Sequence, residues 1–158
     1  MKKIQTVLLA LLLLTMIQAS VLALIESEEE EASMMQMKIN DTPVTVAWEN
    51  NESVSALKEL AMDGLTIRMS MYGGFEQVGS IGRRLPSSDV QTSTSSGDIV
   101  LYSSNQLVVF YGSNSWAYTR LGHITDKTPE EMRTLLSNGD VTITISMESY
   151  RSWKEEGS

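Results

Sequence analysis

Hydrophobic and polar positions alternate with a period of two along most of this chain, which predicts strands. Met35, Met37 and Ile39 alternate with Gln36 and Lys38, Asn40-Asp41 offers a turn, and Val44, Val46 and Trp48 alternate again, which predicts an N-terminal hairpin. From Ser53 the period lengthens. Val54, Leu57, Leu60 and Ala61 fall on one helical stripe, with Asn51 or Ser53 as N-cap and Gly64 beyond the end, predicting a helix over 54–62. Leu65, Ile67, Met69 and Met71 then alternate with Thr66, Arg68, Ser70 and Tyr72, so a strand with one buried face is expected to run into the Gly73-Gly74 break. Phe75 to Ser80 starts the next strand, Gly82 to Asp89 is rich in turn residues, and Val90 to Thr94 is a weak strand candidate.

The segment from Gly97 to Ile124 is the centre of the pattern. Ile99 to Tyr102 and Leu107 to Tyr111 flank the polar break Ser103-Ser104-Asn105-Gln106, which predicts an antiparallel hairpin. After Gly112-Ser113-Asn114-Ser115, Trp116, Tyr118 and Arg120 alternate with Ala117, Thr119 and Leu121, so one strand face carries rings and a guanidinium. A second helix has strong end signals: Thr128 as N-cap, Pro129 at the first position, Glu131 completing a capping box and Asn138-Gly139 as the stop. Val141, Ile143 and Ile145 form a last strand, and Tyr150 to Ser158 is a polar tail. About eight short strands and two short helices with mostly antiparallel connections predict a mainly β fold, a closed barrel capped by helices.

The first residues do not belong to this pattern. Lys2 and Lys3 precede the apolar run Val7 to Leu14, and Val21-Leu22-Ala23 offers a processing site, so a signal peptide over 1–23 and a secreted or extracytoplasmic protein are expected. The competing reading is an uncleaved membrane anchor, which would make the N-terminal segment the chain's contact with a bilayer. Glu26 to Glu31 then reads as an acidic linker over 24–34, with the folded domain over 35–148 and the tail over 149–158.

Composition narrows the chemistry. Twelve basic residues against 20 acidic ones give a formal charge of -8, and such a surface repels phosphate backbones, so nucleic acid is not an expected partner. The chain has no cysteine, which excludes disulfides, thiolate sites and a lipidated leader. No metal-ligand spacing and no cofactor motif is present. Glu76, Asp98, Asp126 and Asp140 read most simply as turn residues and surface charge, and the single His123 as a structural histidine, since no Asp-His-Ser grouping can be placed around it.

Three blocks, YGGFEQVGSIGRRLP from Tyr72, SGDIVLYSSNQLVVFYGSNSWAYTRLGHI from Ser96 and GDVTITIS from Gly139, resemble the bacterial and archaeal cyclophilin-like fold family over nearly all of Met35 to Met147. The resemblance implies a closed eight-stranded cyclophilin-like β-barrel capped by two short α-helices. It also raises the question of peptidyl-prolyl cis-trans isomerase activity. Rotation about an X-Pro bond faces a barrier of about 18–20 kcal/mol, which a proline pocket and a donor aimed at the prolyl nitrogen would lower. By the family resemblance, true isomerases use an arginine on an outer strand face followed by Gly-Phe-x-x-Gln-Gly. Gly74 and Phe75 match, but Val78 stands at the glutamine position, Gln77 is one residue early, and Arg68 lies two residues further from the phenylalanine. A shift of one moves Gln77 to the other face of the sheet, so an isomerase with a divergent site is the alternative reading. The leading one is a module that binds a peptide or small-molecule ligand on an outer face carrying Arg68, Tyr72, Phe75, Trp116, Tyr118 and Arg120. Against it stands the plainer arrangement in which Trp116 and Tyr118 pack under the Gly82 to Asp89 loop and Arg120 pairs with a nearby carboxylate.

Overall fold

In the computed structural model the described residues are 2–31 and 33–149, with side chains described for 2–18 and 34–148. The expected processing site at Ala23 and the glutamate run fall where only backbone is described, and the polar tail from Tyr150 lies outside the described residues. Helix α1 (Lys2–Glu31) covers the segment expected to be a leader, and its backbone helix continues through the glutamates expected to form a linker. Glutamate is a good helix former, so nothing local stops the helix there. Among residues with described side chains, no helix is long and apolar enough to cross a membrane.

Residues Met35–Met147 form a compact unit of their own. Strands β1 (Ser33–Ile39), β2 (Thr42–Val44) and β3 (Val46–Trp48) lead to helix α2 (Glu52–Ala61). Then come β4 (Leu65–Arg68), β5 (Ser70–Tyr72), β6 (Glu76–Ser80), β7 (Val90–Ser93), β8 (Asp98–Tyr102), β9 (Gln106–Phe110) and β10 (Ser115–Ile124). Helix α3 (Pro129–Leu136) precedes β11 (Thr142–Ser149). The fold is mainly β, with two sheets ordered β2-β1-β11-β4 and β3-β10-β8-β9-β6-β5, and β7 paired to β10. Every pairing with a described register is antiparallel.

Where the alternation predicts a single closed sheet of eight strands, the described residues hold eleven strands in these two sheets. Two of the alternating runs are each divided by one residue. Thr45 separates β2 from β3 and bonds Asp126 and Thr125 instead of a strand partner, while Met69 separates β4 from β5 and donates its N–H to Val141. Each run therefore serves one sheet with its first half and the other sheet with its second.

The main core lies between the sheets. Met37, Ile39, Ile67, Ile143 and Ile145 come from one, Ile99, Leu101, Leu107, Val109 and Leu121 from the other, and Leu57, Ala61, Met132 and Leu136 from the two helices. Both helices begin as their sequences predict: Asn51 accepts the Val54 N–H at 2.9 Å, and Thr128 and Glu131 form a reciprocal capping box. On β6, β8, β9 and β10 the alternation leaves a second set of side chains on the outer face. Val100, Val108, Phe110 and Tyr118 are buried there, with Phe75 and Val78 packed against them.

Candidate functional site

The outer cluster surrounds a cavity of about 340 Å³ whose lining comes from β5, β6, β8, β9, β10 and the segment before β10. Glu76 and Val78 point into it from β6 because they alternate with Gln77 and Gly79, which face the main core. The inward position of Gly79 is sterically required, since a Cβ there would stand 2.5 Å from the Arg68 carbonyl oxygen. The β5–β6 hairpin is closed by Gly73 and Gly74, both at positive φ (63° and 74°), the conformation that a tight strand-reversing turn needs and that glycine takes without strain. This turn sets Tyr72 directly across from Glu76.

Buried parts of the lining are Glu76, Val108 and Tyr118, while Tyr72, Tyr102 and Trp116 stand more open to solvent. Tyr118 is fixed by two edge-to-face ring contacts, with Phe110 at 5.8 Å and Tyr102 at 6.0 Å between centroids, and by the Asn114 side-chain amide, which donates to its hydroxyl at 2.9 Å. Burial raises the Tyr118 phenol above its ordinary pKa, the Glu76 charge adds to that, and the Asn114 bond opposes it.

Glu76 is the unusual member. It is 6 % exposed, its Oε2 has no hydrogen-bond partner among the described residues, and burial pushes its carboxyl up to about 7. Its strand neighbours are Phe110 on one side and Tyr72 on the other. The sequence reading placed Glu76 among turn and surface charges; it is instead a buried carboxyl in a cleft. A signal for this was present. Leu107-Val108-Val109-Phe110 is apolar without alternation, so both faces of β9 are covered, and a residue paired with Phe110 on the neighbouring strand shares that second apolar layer.

The six residues expected to share one face divide into three groups. Tyr72, Trp116 and Tyr118 line the cavity. Phe75 packs in the outer cluster behind it, and its carbonyl accepts the N–H groups of both Tyr111 and Gly112 at 2.9 Å. Arg68 and Arg120 do not line the cavity. Arg68 ends β4 opposite Thr142 in the other sheet, because the run bends at Met69. Arg120 precedes a register shift in β10; its guanidinium lies 3.3 Å from Asp98 and donates to the Ser93 carbonyl at 3.1 Å. Trp116 and Tyr118 also differ from each other, at 58 % and 4 % exposed.

Asp98, likewise read from sequence as a surface charge, is 5 % exposed and accepts from the Ser95 N–H at 2.8 Å, with His123 Nδ1 at 2.8 Å from its other oxygen. His123 therefore has a carboxylate partner that the sequence did not reveal, since β8 and β10 bring together residues 25 positions apart. With Arg120 on the same carboxylate, the group is a satisfied anchor between strands. Asp126 and Asp140 take backbone N–H groups, from Thr45 at 2.9 Å and Met71 at 3.1 Å. No group of three or more potential metal ligands occurs among the described residues.

Gln77 is fully buried on the inward face, where its Nε2 donates to the carbonyls of Leu136 and Gly139 at 2.8 and 2.7 Å. It ties the C-terminal end of α3 to β6 and takes no part in the cavity. Val78 stands in the lining instead.

A small antiparallel-sheet domain with a ligand-sized cleft on an outer sheet face is the class that fold and site define. The chain belongs to the cyclophilin-like family, whose model matches residues 37–146. Among solved structures it is similar to the solution structure of the hypothetical protein AF2241 from Archaeoglobus fulgidus, at 14 % identity and a TM-score of 0.50, covering 73 % of this chain and 93 % of that one. At that identity the likeness concerns the fold alone. No curated protein matches the chain.

Proposed function

We propose that this chain is an exported cyclophilin-like module that binds a peptide segment or small molecule in the outer-face cavity above Glu76. The observation that carries the reading is the cavity itself: aromatic side chains around a buried carboxyl with an unpartnered oxygen, open to solvent. Apolar clefts with few convergent polar groups and a perturbed titratable residue are where small ligands bind. We read the two sheets as one closed eight-stranded barrel, which favours this site. Counting β2 with β3 and β4 with β5 as single strands, the pairing order runs through β1, β11, β4/β5, β6, β9, β8, β10 and β3/β2 and returns to β1. Such a barrel fills its interior with its own side chains and leaves the outer face for ligands.

Protein-observed NMR with a library of small fragments and short peptides tests the binding reading on the full-length chain in detergent. Bound fragments are expected to shift the Trp116 indole N–H and to lose affinity in Trp116→Ala; fragments that all bind elsewhere would refute it. Isomerase activity is expected to be absent or feeble, because Arg68 and Gln77 lie outside the cavity and Val78 lines it. Strong acceleration of cis-to-trans relaxation in a protease-coupled Ala-Pro assay, abolished by Arg68→Ala, would restore the isomerase. Export rests on Lys2-Lys3 and on the apolar side chains from Ile4 to Ile17, which stand exposed on α1. Protection of the domain from external protease in intact cells would contradict it, and the intact mass of the native protein distinguishes cleavage near Ala23 from an anchor.

A further inference from the structure

We propose that the cavity over Glu76 is a site for an organic cation, an amine in protonated or quaternary form, held by the Glu76 carboxylate and the rings of Tyr72, Tyr102 and Trp116. This rests on the ligand-binding reading above and specifies the chemistry of that site. The first ground is the identity of residue 76. Its outer-face neighbours Val78, Val108 and Phe110 are apolar, so a leucine would complete the layer without penalty, whereas a carboxyl here loses its hydration and gains no partner for Oε2. An occupant bearing positive charge is the chemistry that compensates a buried lone carboxylate.

The second ground is the surroundings. Among the described residues no lysine or arginine lines the cavity, and Arg120, which its strand position would direct there, is held by Asp98 and the Ser93 carbonyl. Three rings beside the carboxyl offer π-faces that attract cations, and an anion would meet Glu76 with no counter-charge. The volume of about 340 Å³ accommodates a head group with a short organic body.

Proton and ligand then compete for the same oxygen atoms. The titratable groups facing Glu76 are Tyr72 from β5, Tyr102 from β8 and Tyr118 from β10, while β9 contributes Gln106, Val108 and Phe110, none of which titrates. Between pH 6 and 8 the Glu76 carboxyl changes charge. With Glu76 titrating at about 7, its charged fraction and the affinity for a fixed cation rise roughly tenfold from pH 6 to pH 8.

Benzyltrimethylammonium, whose charge does not titrate, and neutral benzyl alcohol are the probes, titrated into the full-length chain in non-ionic detergent and followed at the Trp116 indole N–H. The cation is expected to bind at least about tenfold tighter than the alcohol at pH 8 and to weaken about tenfold at pH 6. Glu76→Gln should abolish both the preference and the pH dependence. Equal binding of the two probes, or pH-independent binding of the cation, overturns the cation assignment and leaves the ligand-binding reading standing. Failure of both probes to bind at millimolar concentration overturns both readings. Should Glu76→Gln fail to fold, Trp116→Ala decides, read with the ammonium resonance of the ligand: unchanged cation affinity in that variant sinks the proposal, and a loss of about fivefold or more supports it.

Discussion

The inner cluster around Ile99, Leu107 and Ile143 and the outer one around Val108, Phe110 and Tyr118 share β8 and β9 as a common wall, yet the polar groups buried beside them differ in kind. Adjacent residues of β6 show it. Gln77, facing inward, is a neutral amide whose Nε2 donates to two carbonyls near the end of α3 while its Oε1 has no donor, whereas Glu76, facing outward, is an ionisable carboxyl whose Oε2 has no donor. The inner layer is covered by α2 and α3 and contributes to the fold; the outer one is small, takes no side chain from α2 or α3 and ends in an open cavity. Buried carboxyls with perturbed titration beside open clefts cluster at functional sites.

Four substitutions sharpen or break this contrast. Leu107→Ala removes a fully buried inner side chain and should destabilise by about 3 kcal/mol in chemical denaturation; a loss under about 1 kcal/mol would mean the inner layer is not tightly packed. Gln77→Met keeps the volume but leaves the Leu136 and Gly139 carbonyls without their donor, with an expected loss of about 2 kcal/mol.

Glu76→Gln should act in the opposite direction. The folded carboxyl titrates at about 7, above its ordinary value of 4.5, so its contribution to stability is fully present below pH 4.5 and is lost as pH rises through 7. The variant, which cannot ionise, is expected to exceed the parent at pH 8 by about 2 kcal/mol, a figure discounted for the open side of the cavity, and to lose that margin by pH 4.5. Paired melts of both proteins across this range check it, and a constant difference would mean that Glu76 does not titrate as a buried group. Trp116→Ala has the smallest expected effect, within about 0.5 kcal/mol, because the ring is mostly solvent-exposed. A loss of 3 kcal/mol there would make the ring part of the fold and remove a wall of the site.

Elements built from local rules were legible in the sequence. Thr128, Pro129 and Glu131 cap α3 as their spacing requires, because a capping box involves only residues within one turn. Gly73-Gly74 closes its hairpin for a similar reason, through the φ values that glycine permits. The Ser103-Ser104 break likewise reverses the chain, with both serines at positive φ (52° and 62°).

Period two assigned Gln77 to the face opposite Val78, and the inward glutamine follows from that count alone. The sequence also determined the mainly β character of the chain and the family to which it belongs. Alternation says which residues share a face of one strand, but not which strand lies beside it or where a run bends. The bend at Met69 carried Arg68 into the other sheet, the β8–β10 pairing gave Arg120 and His123 to Asp98, and the outer layer over β9 buried Glu76. Those outcomes depend on contacts between residues far apart in sequence: the unalternating run on β9 records a second apolar layer, but only its pairing with β6 puts Glu76 in it, so the cavity and its carboxyl were decided by the tertiary structure.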